Sequence, residues 1–265
     1  MGRKTFIITG SGRSGTFKIH EFLKQYTDFT VHHEANFEQM LKLGVLSYEG
    51  MKIDGANARE VSAYYEMLRQ SRKTSVDVSN AAVWCVEPLS NFDRGSNFFM
   101  VVRNGYKVVS SFYYKFRDLM YPTDMIEVAR SAYQSKKFDH ALDKRFWRPL
   151  PQNPEFFERY ESDIRFAVIC WYWAETLTQY EKYKSLYSGM FRFEDIVSGA
   201  SLKDFAETFG IAETGDVYRF FERPTNIESR TNHKLSAVQN SIFEDICGTF
   251  MRKYYSDLEY YDVEY

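Results

Sequence analysis

Residues 5–19 read Thr-Phe-Ile-Ile-Thr-Gly-Ser-Gly-Arg-Ser-Gly-Thr-Phe-Lys-Ile: a short apolar run, a glycine- and serine-rich loop, and the opening of a helix-patterned stretch. Glycines in the loop let the backbone turn tightly and approach a ligand closely. The helix behind the loop aims its unpaired N–H groups and the positive end of its dipole back at the same point. A chain that opens this way is committed to a strand that feeds a helix through an anion-cradling turn. Phosphate or sulfate is the natural occupant, and a ligand-free strand-to-helix turn is the plain alternative.

Gly10 and Gly15 have the separation of the nucleoside-triphosphatase loop G-x-x-x-x-G-K-[ST], but Thr16 stands where its lysine belongs and Arg13 is the cation inside the loop. A second anion motif lies at Phe98-Phe-Met-Val-Val-Arg103-Asn-Gly-Tyr-Lys-Val-Val-Ser-Ser111. The apolar run reads as a strand buried on both faces, and Asn104 reads as the cap of the next helix. Arg103 is then left at the strand's carboxyl end. Ser111 comes about two helical turns after Asn104 and returns to the same angular face. A guanidinium suits an anion here because its planar fork binds two oxygens at once and its charge does not titrate away. Taken singly, Arg103 would be an ordinary surface arginine at a sheet edge.

The two segments together, in this order, resemble the 5′-phosphosulfate loop and the 3′-phosphate motif of sulfotransferases that use 3′-phosphoadenosine 5′-phosphosulfate (PAPS). Met190-Phe-Arg-Phe-Glu-Asp-Ile196 is similar to that family's late strand-plus-acidic segment. Glu194 and Asp195 also suit a helix start on dipole grounds alone. The resemblance covers residues 5–19 and 98–116, with looser support at 188–196 and in the C-terminal helix; the stretch 117–185 carries no matching motif. It implies an α/β fold of the P-loop-like, three-layer kind, with a central parallel β-sheet flanked by helices. It also implies sulfuryl transfer from PAPS to a hydroxyl or amine of a small-molecule or carbohydrate acceptor, leaving 3′,5′-adenosine bisphosphate (PAP).

The family's roles carry over residue by residue. Arg13, Ser14, Gly15, Thr16 and Phe17 would hold the 5′-phosphosulfate, with Arg13 also neutralising the leaving phosphate. Arg103 and Ser111 would hold the 3′-phosphate. Arg230, in the basic stretch Arg223–Lys234 before the last helix, is a further candidate there, although the family's Arg-Lys-Gly pattern is absent. For the base, Glu34 at the end of Val31-His32-His33-Glu34 matches the glutamate of the bacterial branch. Asp77 stands near the position where cytosolic animal and plant members place a histidine. His33 also remains open, since adjacent strand residues point to opposite faces and only one of His32 and His33 can enter the site. A carboxylate base needs burial to raise its pKa toward neutrality. No metal ligands cluster in the sequence, so no magnesium requirement for transfer is expected. The competing readings are a nucleotide-dependent kinase with a degenerate phosphate loop, using Asp77 as its metal-binding acid, and a non-catalytic nucleotide binder of the same fold.

Composition sets the outer bounds. A chain of 265 residues suits a single domain spanning 1–265. Lys+Arg of 34 against Asp+Glu of 36 leaves a net charge of −2 without a charge block, which gives no reason to expect nucleic acid or an anionic membrane as partner. Oligomeric state is not legible. Cys85, Cys170 and Cys247 are far apart in apolar surroundings and read as buried free thiols of a reducing, cytoplasmic compartment. There is no apolar run long enough to span a bilayer, and the first strand starts too early to leave room for a signal peptide.

Strands are expected at 5–10, 28–32, 73–78, 97–103 and 188–193. Helices are expected at 16–26, 35–44, 57–70, 81–91, 105–117, 160–184, 201–209 and 236–252. In the long helix Ile164, Val168, Trp171, Ala174 and Leu177 recur at three- and four-residue steps, so its tryptophan reads as core. Residues 118–158 read as an insertion covering the acceptor. Phe112, Tyr113, Tyr114, Phe116 and Tyr121 just before or within it are candidates to line a pocket.

Overall fold

Strand β1 (Thr5–Gly10) is buried along its whole length because it runs between two parallel neighbours and under helices on both faces. The structure is a computed structural model that describes residues 4–50, 53, 55–116, 120–135, 148–212, 214–222 and 234–257. The described residues of Met1–Arg103 and Tyr180–Arg230 form one compact unit, and those of Asn104–Gln179 and Thr231–Tyr265 form another.

The first unit carries the sheet. Its strands β1, β2 (Thr30–His33), β3 (Ser75–Val78), β4 (Ser96–Val102) and β5 (Tyr187–Arg192) lie in the order β2-β3-β1-β4-β5, every pair parallel. Each expected strand is present, displaced by at most two residues at either end. Neighbouring strand residues face opposite ways, so a strand covered on both faces, such as β4, carries apolar residues at successive positions. Phe6, Ile8, Phe99 and Val101 pack on one side with Phe22, Phe205 and Phe221. Ile7 and Phe98 pack on the other with Met40, Leu43, Tyr64, Leu68 and Leu89. The first layer comes from α1 (Thr16–Tyr26) and two later helices, Leu202–Thr208 and Gly215–Glu222; the second comes from α2 (Phe37–Tyr48), α3 (Gly55–Leu68) and α4 (Val86–Phe92). A short 3₁₀ turn, Ala81–Cys85, precedes α4 and splits the expected helix 81–91.

The second unit opens with α5 (Gly105–Lys115), whose cap is Asn104 as expected: its side chain accepts from the Lys107 N–H at 3.3 Å. It continues through α6 (Thr123–Ser135), α7 (Pro154–Arg159) and α8 (Ile164–Lys182), the last of which passes into the first unit at Tyr180. The first unit then adds α9 (Phe193–Ser198), α10 (Leu202–Thr208) and α11 (Gly215–Glu222), and the second ends with α12 (Ala237–Tyr254). In the second unit Gly105 sits so close to Trp173 that a Cβ there would lie 2.9 Å from the indole. The core tryptophan of α8 is therefore Trp173, not Trp171, which is only half-buried. The helix is enclosed on more than one face, so a single stripe understates its core.

Four helices were not expected: α6, α7, α9 and α11. Six to eight residues hold too few turns for a period to register, which accounts for α7, α9 and α11. Helix α6 and α7 fall in the stretch 118–158 read as an insertion, of which 118, 119 and 136–147 lie outside the described residues. All three cysteines are buried and unpaired. Among the described residues no helix is long and apolar enough to cross a membrane.

Candidate functional site

In a parallel sheet, ligands bind beyond the carboxyl ends of the strands, where the connections depart in opposite directions. Here β1 leads toward β2 on one side and β4 leads toward β5 on the other, so the crevice opens between β1 and β4. The loop after β1 and Arg103 after β4 occupy that position. The registers Ile8 with Val78, His33 with Val78, Gly10 with Val101 and Val102 with Arg192 bring Glu34, Ser79, the loop, Arg103 and Phe193 to one edge.

The loop has almost no freedom. A Cβ on Gly10 would lie 2.5 Å from the Val101 carbonyl oxygen and 2.6 Å from Ser14 Oγ. Gly15 has φ of +90°, and a Cβ there would fall 2.2 Å from the ring of Phe193. Both glycines are thus required by space, and Gly15 by conformation as well. Arg13 also adopts a left-handed backbone, φ 67°, and its carbonyl accepts a 3.0 Å hydrogen bond from Arg103 Nη1. The Arg103 guanidinium lies over the Phe193 ring with its Cζ 5.6 Å from the centroid. One aromatic ring therefore abuts Gly15 and supports the arginine together.

What the loop presents is donor-rich. Ser11 and Ser14 are 2% and 0% exposed, and their hydroxyls have no hydrogen-bond partner among the described residues. A buried hydroxyl without a partner costs about 1–3 kcal/mol. Two of them side by side in one loop fit an anion that supplies the missing bonds. Helix α1 has no acidic residue in its first turn, so its positive end is not neutralised from within. Thr16 is buried, whereas Phe17 is 53% exposed beside the loop. Lys18 is buried with its Nζ 4.2 Å from the Phe220 ring centroid, which commits it to packing under α11.

A second cluster stands at the ends of β3, directly beside β1, and of β2, one strand further out and so about 10 Å from β1 across the sheet. Glu34 has φ of 55°, donates its N–H to the Val78 carbonyl at 3.1 Å, and accepts on Oε1 from Asn80 Nδ2. Asp77 is fully buried; its Oδ1 accepts from the Ala35 N–H at 3.1 Å and its Oδ2 from the Tyr64 hydroxyl at 2.8 Å. Loss of solvation raises the Asp77 carboxyl to about 7, against the pull of those two bonds and with help from the charge of Glu34. His33 is edge-on to Phe17 at 5.6 Å and 5.5 Å from His20. Burial and His20 lower its pKa, and its Nε2 has no partner among the described residues. Ser79, completely buried at the end of β3, has an unpartnered hydroxyl of the same kind as Ser11 and Ser14.

The first unit thus brings Arg13, Ser14, Gly15, Thr16, Phe17, Arg103, His33, Glu34 and Asp77 to one end of its sheet. Ser111 is on α5 of the second unit. Arg230 lies outside the described residues. Phe193, Asn80 and Ser79 escaped sequence reasoning. Phe193 belongs to the segment Met190–Ile196, where Glu194 and Asp195 are the conspicuous residues and the aromatic just before them does the packing. Asn80 carried no signal, because its partner is 46 positions away. Of the aromatic group near 112–121, Tyr113 and Tyr114 border a cavity of about 480 Å³ in the second unit with Arg165 and Gln239. Tyr121 is buried and donates to the Pro149 carbonyl at 2.7 Å, so it is structural.

The fold is similar to that of mouse sulfotransferase SULT7A1 complexed with PAP, with a TM-score of 0.49 and 12% identity over 94% of this chain and 85% of that one. It is also similar to a sulfotransferase from Alicyclobacillus acidocaldarius, with a TM-score of 0.46 and 10% identity over 96% of each chain. No protein-family profile matches the chain, and no curated protein matches it.

Two outcomes follow from the packing. Gly15→Ala should destabilise the protein by roughly 2–4 kcal/mol, combining a strained backbone with overpacking. Phe193→Ala in the same chain relieves part of that, so a double-mutant cycle by urea unfolding should give a clear coupling; strict additivity would show that the ring does not abut the loop. For Asp77, the folded carboxyl holds its proton up to about pH 7 while the unfolded one releases it near 3.8. Its favourable contribution is complete below pH 4 and is lost as pH rises to 7, at up to about 1.4 kcal/mol per pH unit. The stability of Asp77→Asn relative to the parent should therefore climb between pH 4 and 7 and level off above; a flat difference contradicts the burial.

Proposed function

We propose that the chain is a PAPS-dependent sulfotransferase acting on a small hydroxylated or carbohydrate acceptor. The observation that carries this reading is the pair of buried, unpartnered hydroxyls of Ser11 and Ser14 in a rigid loop braced by Arg103. Such a loop suits an oxyanion group that accepts several bonds and stays put. The kinase reading loses its metal-binding acid, because both oxygens of Asp77 are already taken by Tyr64 and Ala35 in the core. The placing of a 3′-phosphate at Arg103 and Ser111 rests on their spacing in the sequence. The three buried thiols suit a reducing compartment such as the cytoplasm.

In the reaction so read, the acceptor oxygen forms a bond to sulfur while the bond from sulfur to the 5′-phosphate oxygen breaks and PAP departs. The acceptor's proton passes to the Glu34 carboxylate. Sulfuryl transfer needs alignment and charge stabilisation more than covalent help from the protein, by analogy with phosphoryl transfer. Loop N–H groups, the Ser11 and Ser14 hydroxyls and Arg13 would carry the charge that develops on the leaving phosphate. His33, held neutral by burial and edge-on to Phe17, would form a wall of the acceptor side.

Arg103→Ala should weaken PAP binding about 10- to 100-fold by calorimetry, the usual scale for loss of one charge-assisted phosphate contact. Glu34→Gln should bind PAP within about twofold of the parent yet lose at least about a hundredfold in turnover across an acceptor panel. Unchanged PAP affinity in the first variant removes the role given to Arg103; retained turnover in the second removes Glu34 as the base.

A further inference from the structure

The corner after β2 is an unusual piece of backbone. Glu34 and Asn36 both have left-handed φ, 55° and 50°, in a stretch without glycine. Such a backbone is strained for a residue with a side chain, and it persists only where its surroundings impose it. Here the end of β3 does so through three successive contacts: the Asp77 carboxylate takes the Ala35 N–H, the Val78 carbonyl takes the Glu34 N–H, and the Asn80 amide donates to Glu34 Oε1. Asn80 immediately precedes the 3₁₀ turn Ala81–Cys85, the place where an asparagine commonly caps the backbone. It makes no such cap. Its donor is spent across the sheet edge on a carboxylate instead.

We propose that Asn80 is the positioning residue of the catalytic base, holding the Glu34 carboxylate in one orientation and in its ionised form at the carboxyl edge of the sheet. The proposal rests on the reading of Glu34 as base, and a donor fixed on the charged form favours that form. Among the described residues Asp77 from β3 acts electrostatically with Glu34, and His33 precedes it on its own strand, with His20 and Glu21 of α1 acting on that histidine. Asp77 opposes the ionised Glu34 only weakly below about pH 7, where burial keeps it largely neutral. Asn80 favours the charge by direct hydrogen bonding, so its loss should be felt.

The test reads Glu34 itself. Carboxyl carbons of ¹³C-glutamate protein are titrated by NMR, with Glu34→Gln assigning the signal, in the parent, Asn80→Ala and Asn80→Asp. The midpoint of Glu34 should rise by about half to one pH unit in Asn80→Ala and further in Asn80→Asp, which sets a like charge beside it. In turnover, kcat should fall about tenfold in Asn80→Ala, with the acid limb of its pH profile moved upward by the same amount and PAP affinity unchanged. An unaltered Glu34 midpoint in both variants overturns the proposal, whichever acceptor is used. Should Glu34→Gln keep full turnover while the Asn80 variants shift the midpoint, the base assignment fails and the contact stands.

Discussion

The close contact between the Gly10–Gly15 loop and its two walls is the constraint on which the rest of the site depends. On one side the Val101 carbonyl and Ser14 Oγ leave room for no side chain at residue 10; on the other the Phe193 ring leaves none at residue 15. A loop squeezed in this way keeps its backbone in one arrangement, which is what electrostatic preorganisation requires. Arg103 is tied into the same unit, since it donates to the Arg13 carbonyl and rests on the ring that abuts Gly15. The loop and Arg103 are thus one mechanical piece built from the ends of β1, β4 and β5.

A second piece is built from the ends of β2 and β3. Asp77 is buried among apolar residues and Tyr64, and it spends its two oxygens on Tyr64 and Ala35, so it sets the course of the chain rather than meeting a ligand. That course brings Glu34 to the edge of the sheet, where Asn80 meets it. In the sheet β3 lies directly beside β1, and Glu34, at the end of β2, is about two strand spacings from β1, roughly 10 Å.

Much of this was legible from residues alone. Apolar runs ending in Gly10 and Arg103 announce β1 and β4 as strands buried on both faces, while β2 and β3, which carry His32, His33 and Asp77, have no such run. The glycine loop and Asn104 cap are local signals of the same strength. What stayed hidden depends on partners distant in sequence. Nothing near Asn80 says that its amide will reach Glu34, and nothing near Phe193 says that its ring will stop against Gly15. Asp77 was read as a candidate base or metal ligand because a carboxylate at a strand end invites it; only the positions of Tyr64 and Ala35 show how it is occupied. Short helices such as α7 and α9 leave no trace in the sequence because a turn and a half carries no period, and the single stripe through Trp171 cannot describe a helix enclosed on several sides, in which Trp173 is fully buried.

The central claim is that one guanidinium and one loop grip a nucleotide phosphorylated at both its 3′ and 5′ positions. Calorimetric titration of the unmodified protein with PAP and with adenosine 5′-monophosphate, without added metal, tests it most directly. The account predicts that PAP binds at least about tenfold more tightly, the worth of a single charged contact. Equal affinity for the two nucleotides would contradict it.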